Sequence, residues 1–126
     1  MAALYLLNPW GTLRCVPASE ANFNSDLFDV FDGFTIEPIQ LAGSLYAVTL
    51  WTGCPVWDDG LDNPAAAFVC KHLSGGSVPT RIYRGPVAFV RRRLSSDPPV
   101  FSPLSAEQLD LVLDSVALYC KESSDR

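Results

Sequence analysis

The chain has a single histidine among its 126 residues, and this scarcity restricts the chemistry it can perform. Histidine is the most common side chain in general acid–base catalysis. His72 follows Cys70 by two positions, and residues two apart on a helix point in different directions, so these two make a poor nucleophile–base pair. Nucleophile-elbow, Walker and dinucleotide-binding glycine motifs are also missing. The sequence therefore predicts no catalytic residues and no cofactor, and it supports no enzyme activity.

Long apolar runs are missing as well. No apolar stretch reaches the roughly 18 residues that a membrane-spanning helix needs. The opening residues Met1–Leu7 lack the basic start of a secretory signal. These two absences predict a cytoplasmic protein without a membrane partner.

The chain also lacks any pair of cysteines separated by two residues, which argues against a zinc knuckle. Cysteines number four in all, each with apolar neighbours: Cys15, Cys54, Cys70 and Cys120. In a protein without a secretory signal, we expect them to be reduced, buried thiols rather than disulfides. The group Cys54, Cys70 and His72 matches no ligand spacing, so the sequence predicts no metal site.

Charged residues make up only 18% of the chain and apolar residues 48%, a balance that predicts a packed globule. The net charge of −5 argues against nucleic acid as a partner. Residues 71–96 nevertheless contain no acid and carry a local group of cations: Lys71, Arg81, Arg84, Arg91, Arg92 and Arg93. Such a basic segment either docks an acidic partner or balances the acidic faces of the protein itself.

Turn motifs between short apolar runs predict two β-hairpins, whose turns are Asn8–Gly11 and Ala42–Ser44. Pro38 has no N–H to donate, which predicts a sheet edge or a bulge at that strand. The apolar stretch Val87–Val90 is typical of a strand buried on both faces. The five predicted strands are Ala3–Leu7, Thr12–Val16, Phe34–Leu41, Leu45–Trp51 and Ile82–Arg91.

Three helices are predicted from capping signals and apolar spacing. Ser19 is expected to cap the first, which runs through Asp32 and stops at Gly33. Asn63 is expected to cap the second, Pro64–Leu73. The third helix begins at a capping box of Ser105 and Gln108 and ends near Tyr119–Lys121, with its apolar face made of Leu109, Val112, Leu113, Val116 and Cys120.

These elements predict one α+β domain over residues 1–121, followed by a polar tail over residues 122–126. The domain contains a mainly antiparallel sheet of about five strands. The C-terminal amphipathic helix and one or two shorter helices pack on this sheet.

Tryptophans beside turns provide the clearest candidates for partner binding, because exposed tryptophans make good interface anchors. Trp10 lies in the first predicted turn, and Trp57 lies among polar neighbours, whereas Trp51 suits the core. The basic run Arg91, Arg92 and Arg93 is the second candidate surface.

An acidic loop precedes the second predicted helix. It contains the oxygen-bearing side chains Asp58, Asp59, Asp62 and Asn63. Their spacing is not that of an EF-hand, so a turn with an acidic rim is favoured over a calcium site.

Five segments of the chain resemble the motifs of domain-of-unknown-function family 3846. They are the strand–turn–strand Leu4–Leu13, the hairpin Phe34–Trp51, the run Asn63–Ala67, the Gly-Pro-Val strand Gly85–Val90 and the start of the closing helix, Leu104–Leu109. Members of that family occur chiefly in bacteriophages, plasmids and mobile regions of bacterial genomes. The resemblance implies a compact cytoplasmic protein encoded on mobile DNA, with Asn63, Gly85 and Pro86 as family-motif residues, and it implies no established activity.

Asn63 has two interpretations. As a helix cap it accepts the N–H of a residue in the first helical turn, and Asn63→Asp is then tolerated while Asn63→Ala costs about 1 kcal/mol. As a binding or catalytic residue it would lose function in both variants and leave the melting temperature unchanged. The cap is the favoured interpretation.

Two classes of function remain open. The leading hypothesis is a small non-enzymatic binding or modulator protein, a bacteriophage accessory factor that docks on a host protein, a phage protein or a defence complex. The alternative is a small-ligand- or metal-binding protein, or an enzyme, that uses the loop Trp57–Asn63. A third, structural hypothesis is a homodimer formed through the edge strand near Pro38 or through Gly85–Arg91.

Overall fold

A computed structural model describes residues 2–31, 36–50, 62–78, 82–93 and 100–124 of the chain. The strands are β1 Ala2–Leu7, β2 Leu13–Ala18, β3 Ile36–Ala42, β4 Leu45–Leu50, β5 Val87–Arg92 and β6 Phe101–Ser102. The helices are α1 Phe23–Val30, α2 Pro64–Leu73 and α3 Ala106–Ser124.

The strands form a six-stranded antiparallel sheet in the order β2-β1-β5-β4-β3, with β6 paired to β5 beyond the end of β1. The predicted α+β class and its mainly antiparallel sheet are therefore confirmed. Among the described residues, the sheet has one strand more than the five predicted, namely β6. Its two residues are too few to show an alternating apolar pattern, so the sequence does not predict it. The residues Val87–Val90 are buried, as predicted for a strand that is covered on both faces: Val87 and Phe89 belong to one core, and Ala88 and Val90 to the other.

Both predicted hairpins are confirmed, and side-chain hydrogen bonds fix the first of them. Asn8 Oδ1 accepts the backbone N–H groups of Trp10 and Thr12, each at 3.0 Å. Gly11 completes this turn at a φ of 85°, a backbone conformation that side chains with a Cβ rarely adopt. The turn is consequently a well-defined support for the exposed Trp10.

The strands at the two ends of the sheet order, β2 and β3, each contain a proline: Pro17 and Pro38. The edge position predicted from Pro38 is confirmed, and the bulge lies between Gln40 and Ala42 instead of at the proline. Proline without an N–H discourages further strands from pairing with such an edge.

Helices cover both faces of the sheet and create two apolar cores. On one face, α2 and α3 pack over Leu7, Val87 and Phe89. On the opposite face, Phe23, Leu27 and Phe31 from α1 and the turn after it pack with β-strand residues such as Leu4 and Val90. All of these residues are buried.

The first helix begins later than predicted. Ser19 does not cap it: the N–H of Ser19 donates to Asp26 Oδ2 at 2.8 Å, and α1 begins at Phe23 without a side-chain cap. Asp26 therefore stabilises the chain that enters the helix. The predicted stop at Gly33 and the core position of Trp51 fall outside the described residues.

The predicted strand Ile82–Arg91 is wrong in its first half. Gly85 has a φ of 69°, and Pro86 has no N–H to donate, so the ladder starts only at Val87. Arg84 instead forms an isolated bridge with Asp62. The segment before β5 is thus attached to the entrance of α2.

The capping box of α3 is confirmed: Gln108 N donates to Ser105 Oγ at 3.2 Å, and Ser105 N donates to Gln108 Oε1 at 3.0 Å. The helix extends through Ser124, three residues beyond the predicted end at Lys121. Its buried face also differs from the prediction. Val112 and Val116 are buried with Ser115. The predicted core residues Leu113 and Cys120 are exposed.

Candidate functional site

Asn63 caps α2, and its side chain does more than the sequence predicted. Its Oδ1 accepts the N–H of Ala66 at 2.9 Å, which confirms the cap. Its Nδ2 donates to the carbonyl oxygen of Leu7 at 3.0 Å and to that of Gly85 at 2.7 Å. The side chain is buried, so the amide joins β1, the segment before β5 and α2 in one place.

This arrangement connects Asn63 at the start of α2 directly to Gly85 in the segment before β5. The conformation of Gly85 directs its carbonyl oxygen to the Asn63 amide, and Pro86 then leads directly into β5. The expected tolerance of Asn63→Asp does not follow from this geometry, because aspartate has no N–H groups to donate to the two carbonyl oxygens. The role of Asn63 in the described structure is architectural.

The basic run does not form one surface. Arg91 and Arg92 are consecutive in β5, so their side chains project to opposite faces of the sheet. The Arg92 guanidinium lies 5.5 Å from the centre of the Tyr46 ring, and its Nη1 donates to Tyr46 Oη at 3.3 Å. Arg91 and Arg93 are exposed. Arg92 thus has a partner within the chain, but that partner is a tyrosine and not one of the acidic residues that the balancing interpretation invokes.

Trp10 and the arginines are also not brought together. The turn that carries Trp10 lies at the Val87 end of β5, since Leu7 pairs with Val87, and Arg91 lies near the other end of that strand. Trp57 falls outside the described residues. Trp10 and the basic run are therefore two separate candidate surfaces.

The fold places the single histidine beside a serine. His72 Nδ1 lies 3.0 Å from Ser115 Oγ, across the interface between α2 and α3. Ser115 is fully buried, which keeps its hydroxyl away from any substrate. The pair accordingly acts as a bond between two helices and does not have the accessible nucleophile that a hydrolase needs.

The cysteines differ from the expected buried set. Cys70 is buried, but Cys15 and Cys120 are exposed, and all three are free thiols. Cys15 pairs across the strands with Tyr5, whose pKa is raised by burial and, to a smaller degree, by the Cys15 thiol. Cys54 lies outside the described residues.

Within the part of the chain that the structure describes, no three histidine, cysteine or acidic side chains converge as metal ligands. Of the acidic loop, Asp58 and Asp59 fall outside that part. Asp62 lies 3.7 Å from Arg84 Nε, and Asn63 is fully engaged as described above.

Trp10 is the most exposed of the large apolar side chains that the structure describes, at 73%. The turn that holds it packs against the C-terminal end of α3. Cys120 Sγ donates to the carbonyl oxygen of Gly11 at 3.5 Å. A Cβ atom at Gly11 would lie 3.2 Å from the Tyr119 ring, a tighter contact than is usual, so any other residue here would force the ring to shift.

An open groove of about 230 Å³ adjoins this contact, where the beginning of α2 meets the end of α3. It is lined by Pro64, Phe68, Tyr119, Glu122 and Ser123, and we refer to it as the helix-end groove. The Phe68 and Tyr119 rings lie 5.5 Å apart and are tilted by 55°. Phe68 also stacks on His72 at 6.1 Å. Tyr119 is thus shared between the groove and the support of the Trp10 turn.

Sequence reasoning missed the helix-end groove. Phe68 and Tyr119 are separated by about fifty positions and belong to different helices, so no local pattern connects them. The chain order, in which α3 follows α2, is the one available signal, since it suggests that the two helices lie beside each other on one face of the sheet. This order does not give the register of one helix against the other.

No family model matches the chain, and no curated protein or solved structure is similar to it at the significance required. Among the helices of the described residues, none combines the length and apolar character needed to cross a bilayer.

Proposed function

We propose that this chain is a small non-enzymatic binding protein that docks on another protein through the surface around Trp10. The observation that carries the proposal is the exposure of Trp10 at the tip of a turn fixed by Asn8. A large aromatic side chain on a rigid turn buries much apolar area on binding and loses little conformational freedom. Interface anchors combine these two properties.

The resemblance to domain-of-unknown-function family 3846 supports a more specific proposal. In the setting of that family, the protein is a bacteriophage or mobile-element accessory factor in the host cytoplasm, and its partner is a host protein, a phage protein or a defence complex. The exposed Arg91 and Arg93 form a second, separate contact region for an acidic partner.

The competing proposals receive less support from the geometry. Of the loop Trp57–Asn63, the structure describes Asp62 and Asn63, and both already bond to other parts of the chain. A homodimer through Gly85–Arg91 conflicts with the central position of β5 between β1 and β4. The β3 edge near Pro38 is the remaining edge for that homodimer proposal.

The test is affinity capture from bacterial lysate with tagged wild-type protein, Trp10→Ala and Phe28→Ala, each at low and moderate salt. Phe28 is a matched control because it is an exposed aromatic residue, at 46%, on the opposite face of the sheet. We expect one stoichiometric partner that wild type and Phe28→Ala retain and Trp10→Ala loses. Equal capture by all three proteins would contradict the proposed surface.

A further inference from the structure

The helix-end groove has one charged residue in its lining, the acidic Glu122, although the helix α2 begins there. Glu122 lies in the last turn of α3, where the final carbonyl groups of the helix concentrate partial negative charge, and its neighbour Lys121 is not among the lining residues. The opposing positive end of α2 is weakened in two ways. Pro64 has no N–H, and the oxygens of Asn63 already accept the N–H groups of Ala66 and Ala67.

Two aromatic rings complete the lining of the groove. Phe68 and Tyr119 are both partly exposed and contact each other, so each offers part of a ring to an occupant. Aromatic ring faces carry partial negative charge and attract cations within about 6 Å. A carboxylate beside two aromatic rings is therefore complementary to a planar cation.

The size of the groove restricts the occupant further. Its volume of about 230 Å³ lies below the range of roughly 300–1,000 Å³ that is usual for small-molecule pockets. One side chain of a protein partner is the fitting guest. Among cationic side chains, the arginine guanidinium is flat, stacks on aromatic rings and pairs with a carboxylate through two N–H groups.

We infer that the helix-end groove receives an arginine side chain of the partner protein, held between Phe68, Tyr119 and Glu122. This inference rests on the proposed function, since Tyr119 connects the groove to the turn that carries Trp10. It adds a statement about the partner: an arginine lies beside the apolar patch that covers Trp10.

The test is an NMR titration of the isotopically labelled full chain with N-acetyl-arginine amide. N-acetyl-citrulline amide, which has nearly the same shape and no charge, is the ligand control. We expect saturable shifts of the Phe68 and Tyr119 resonances with the arginine probe only. Equal shifts with citrulline, or no saturable shift with arginine, would overturn the inference.

A pair of variants tests the part that the carboxylate plays. We expect Glu122→Gln to weaken arginine binding by about two- to fivefold, the range expected for one exposed ion pair. Glu107→Gln removes an exposed carboxylate from the other end of the same helix and should leave binding unchanged. Equal binding by wild type and Glu122→Gln would remove the carboxylate from the site and contradict the proposed recognition.

The two proposals fail in distinguishable ways. If the arginine probe does not bind but Trp10→Ala still abolishes partner capture, the groove inference is wrong and the binding surface stands. If the probe binds and capture is independent of Trp10, the groove recognises cations and the proposed function is wrong.

Discussion

Replacing Asn63 with aspartate separates the helix cap from the other hydrogen bonds that its side chain makes. Aspartate caps a helix as well as asparagine does, so a residue that acted only as a cap would tolerate the change. The Nδ2 group of Asn63, however, donates to the carbonyl oxygens of Leu7 and Gly85 inside the protein. Asn63→Asp keeps the cap and removes both of these bonds.

The expected loss of stability follows from those two carbonyl groups. Without the Asn63 Nδ2 group, each of the two buried carbonyl oxygens loses its donor, which lowers the free energy of unfolding by about 1–3 kcal/mol per oxygen. The two losses together amount to about 2–6 kcal/mol. A carboxylate buried against two carbonyl oxygens adds a desolvation penalty. Asn63→Ala loses the same two bonds and the cap, the latter worth about 1 kcal/mol, but buries no charge. We therefore expect Asn63→Asp to be at least as destabilising as Asn63→Ala at neutral pH.

The defect of Asn63→Asp should also depend on pH. Burial raises the pKa of the introduced carboxyl above its unfolded value of about 3.9, so the folded state binds the proton more tightly. The variant is then relatively more stable at low pH and loses that stability as pH rises. Lowering the pH from 7 towards 4 should reduce the difference in the free energy of unfolding between Asn63→Asp and wild type.

Urea denaturation followed by circular dichroism measures these free energies of unfolding by linear extrapolation. Wild type and Asn63→Ala, run at each pH, correct for the titration of other groups. Two results together would refute a stabilising role for the Nδ2 hydrogen bonds. Asn63→Asp would unfold at the same urea concentration as wild type at neutral pH, and Asn63→Ala would lose only the free energy of the cap. Loss of partner capture without loss of stability in both variants would instead indicate a binding role for Asn63.

Three further predictions concern stability and are checked by thermal or urea unfolding. Gly11→Ala should lower the free energy of unfolding more than Gly43→Ala does. Both glycines have positive φ, but only a Cβ at Gly11 meets a neighbour, the Tyr119 ring at 3.2 Å. Equal losses of stability would contradict the packing of this turn against α3. Ser105→Ala should cost about 1 kcal/mol by removing half of the capping box, and an unchanged midpoint would show that the box contributes nothing. Ser115→Ala should lower stability by about 0.5–1.5 kcal/mol through loss of the bond between helices and leave partner capture intact; lost capture at wild-type stability would assign the hydroxyl a functional role.

The elements that sequence reasoning predicted well are those with local signals. The Asn63 cap with Pro64 behind it, the Ser105–Gln108 box and both hairpin turns depend on residues within a few positions of one another. Such interactions are encoded in short stretches of chain. Their bounds in the structure accordingly agree closely with the predicted ones.

One error occurs where distant parts of the chain decide the outcome. Nothing near Ile82 in the sequence shows that residues 82–86 are held by Asp62 and Asn63 instead of pairing in the sheet. A tertiary partner overrides local propensity there. The error at Ser19 is local: α1 begins only at Phe23, and the N–H of Ser19 donates to Asp26 seven residues further on.

The same distinction between local and distant interactions separates the parts of the candidate site that the sequence predicts from those that it does not. Trp10 was identified from its position in a turn, and its exposure agrees with that reasoning. The helix-end groove was not identified, since Phe68, Tyr119 and Glu122 meet only through the register of α2 against α3. The basic run looked continuous in sequence, and strand alternation divides it between two faces.

If the surface around Trp10 contacts a partner protein, photo-cross-linking inside cells captures that contact. p-Benzoylphenylalanine is placed at the position of Trp10 and, in a control protein, at that of Phe28. Illumination of bacterial cells that produce each protein then traps whatever touches that position. We expect one discrete covalent adduct from the Trp10 position and none from the Phe28 position. No adduct from the Trp10 position, or the same adduct from both positions, would contradict it.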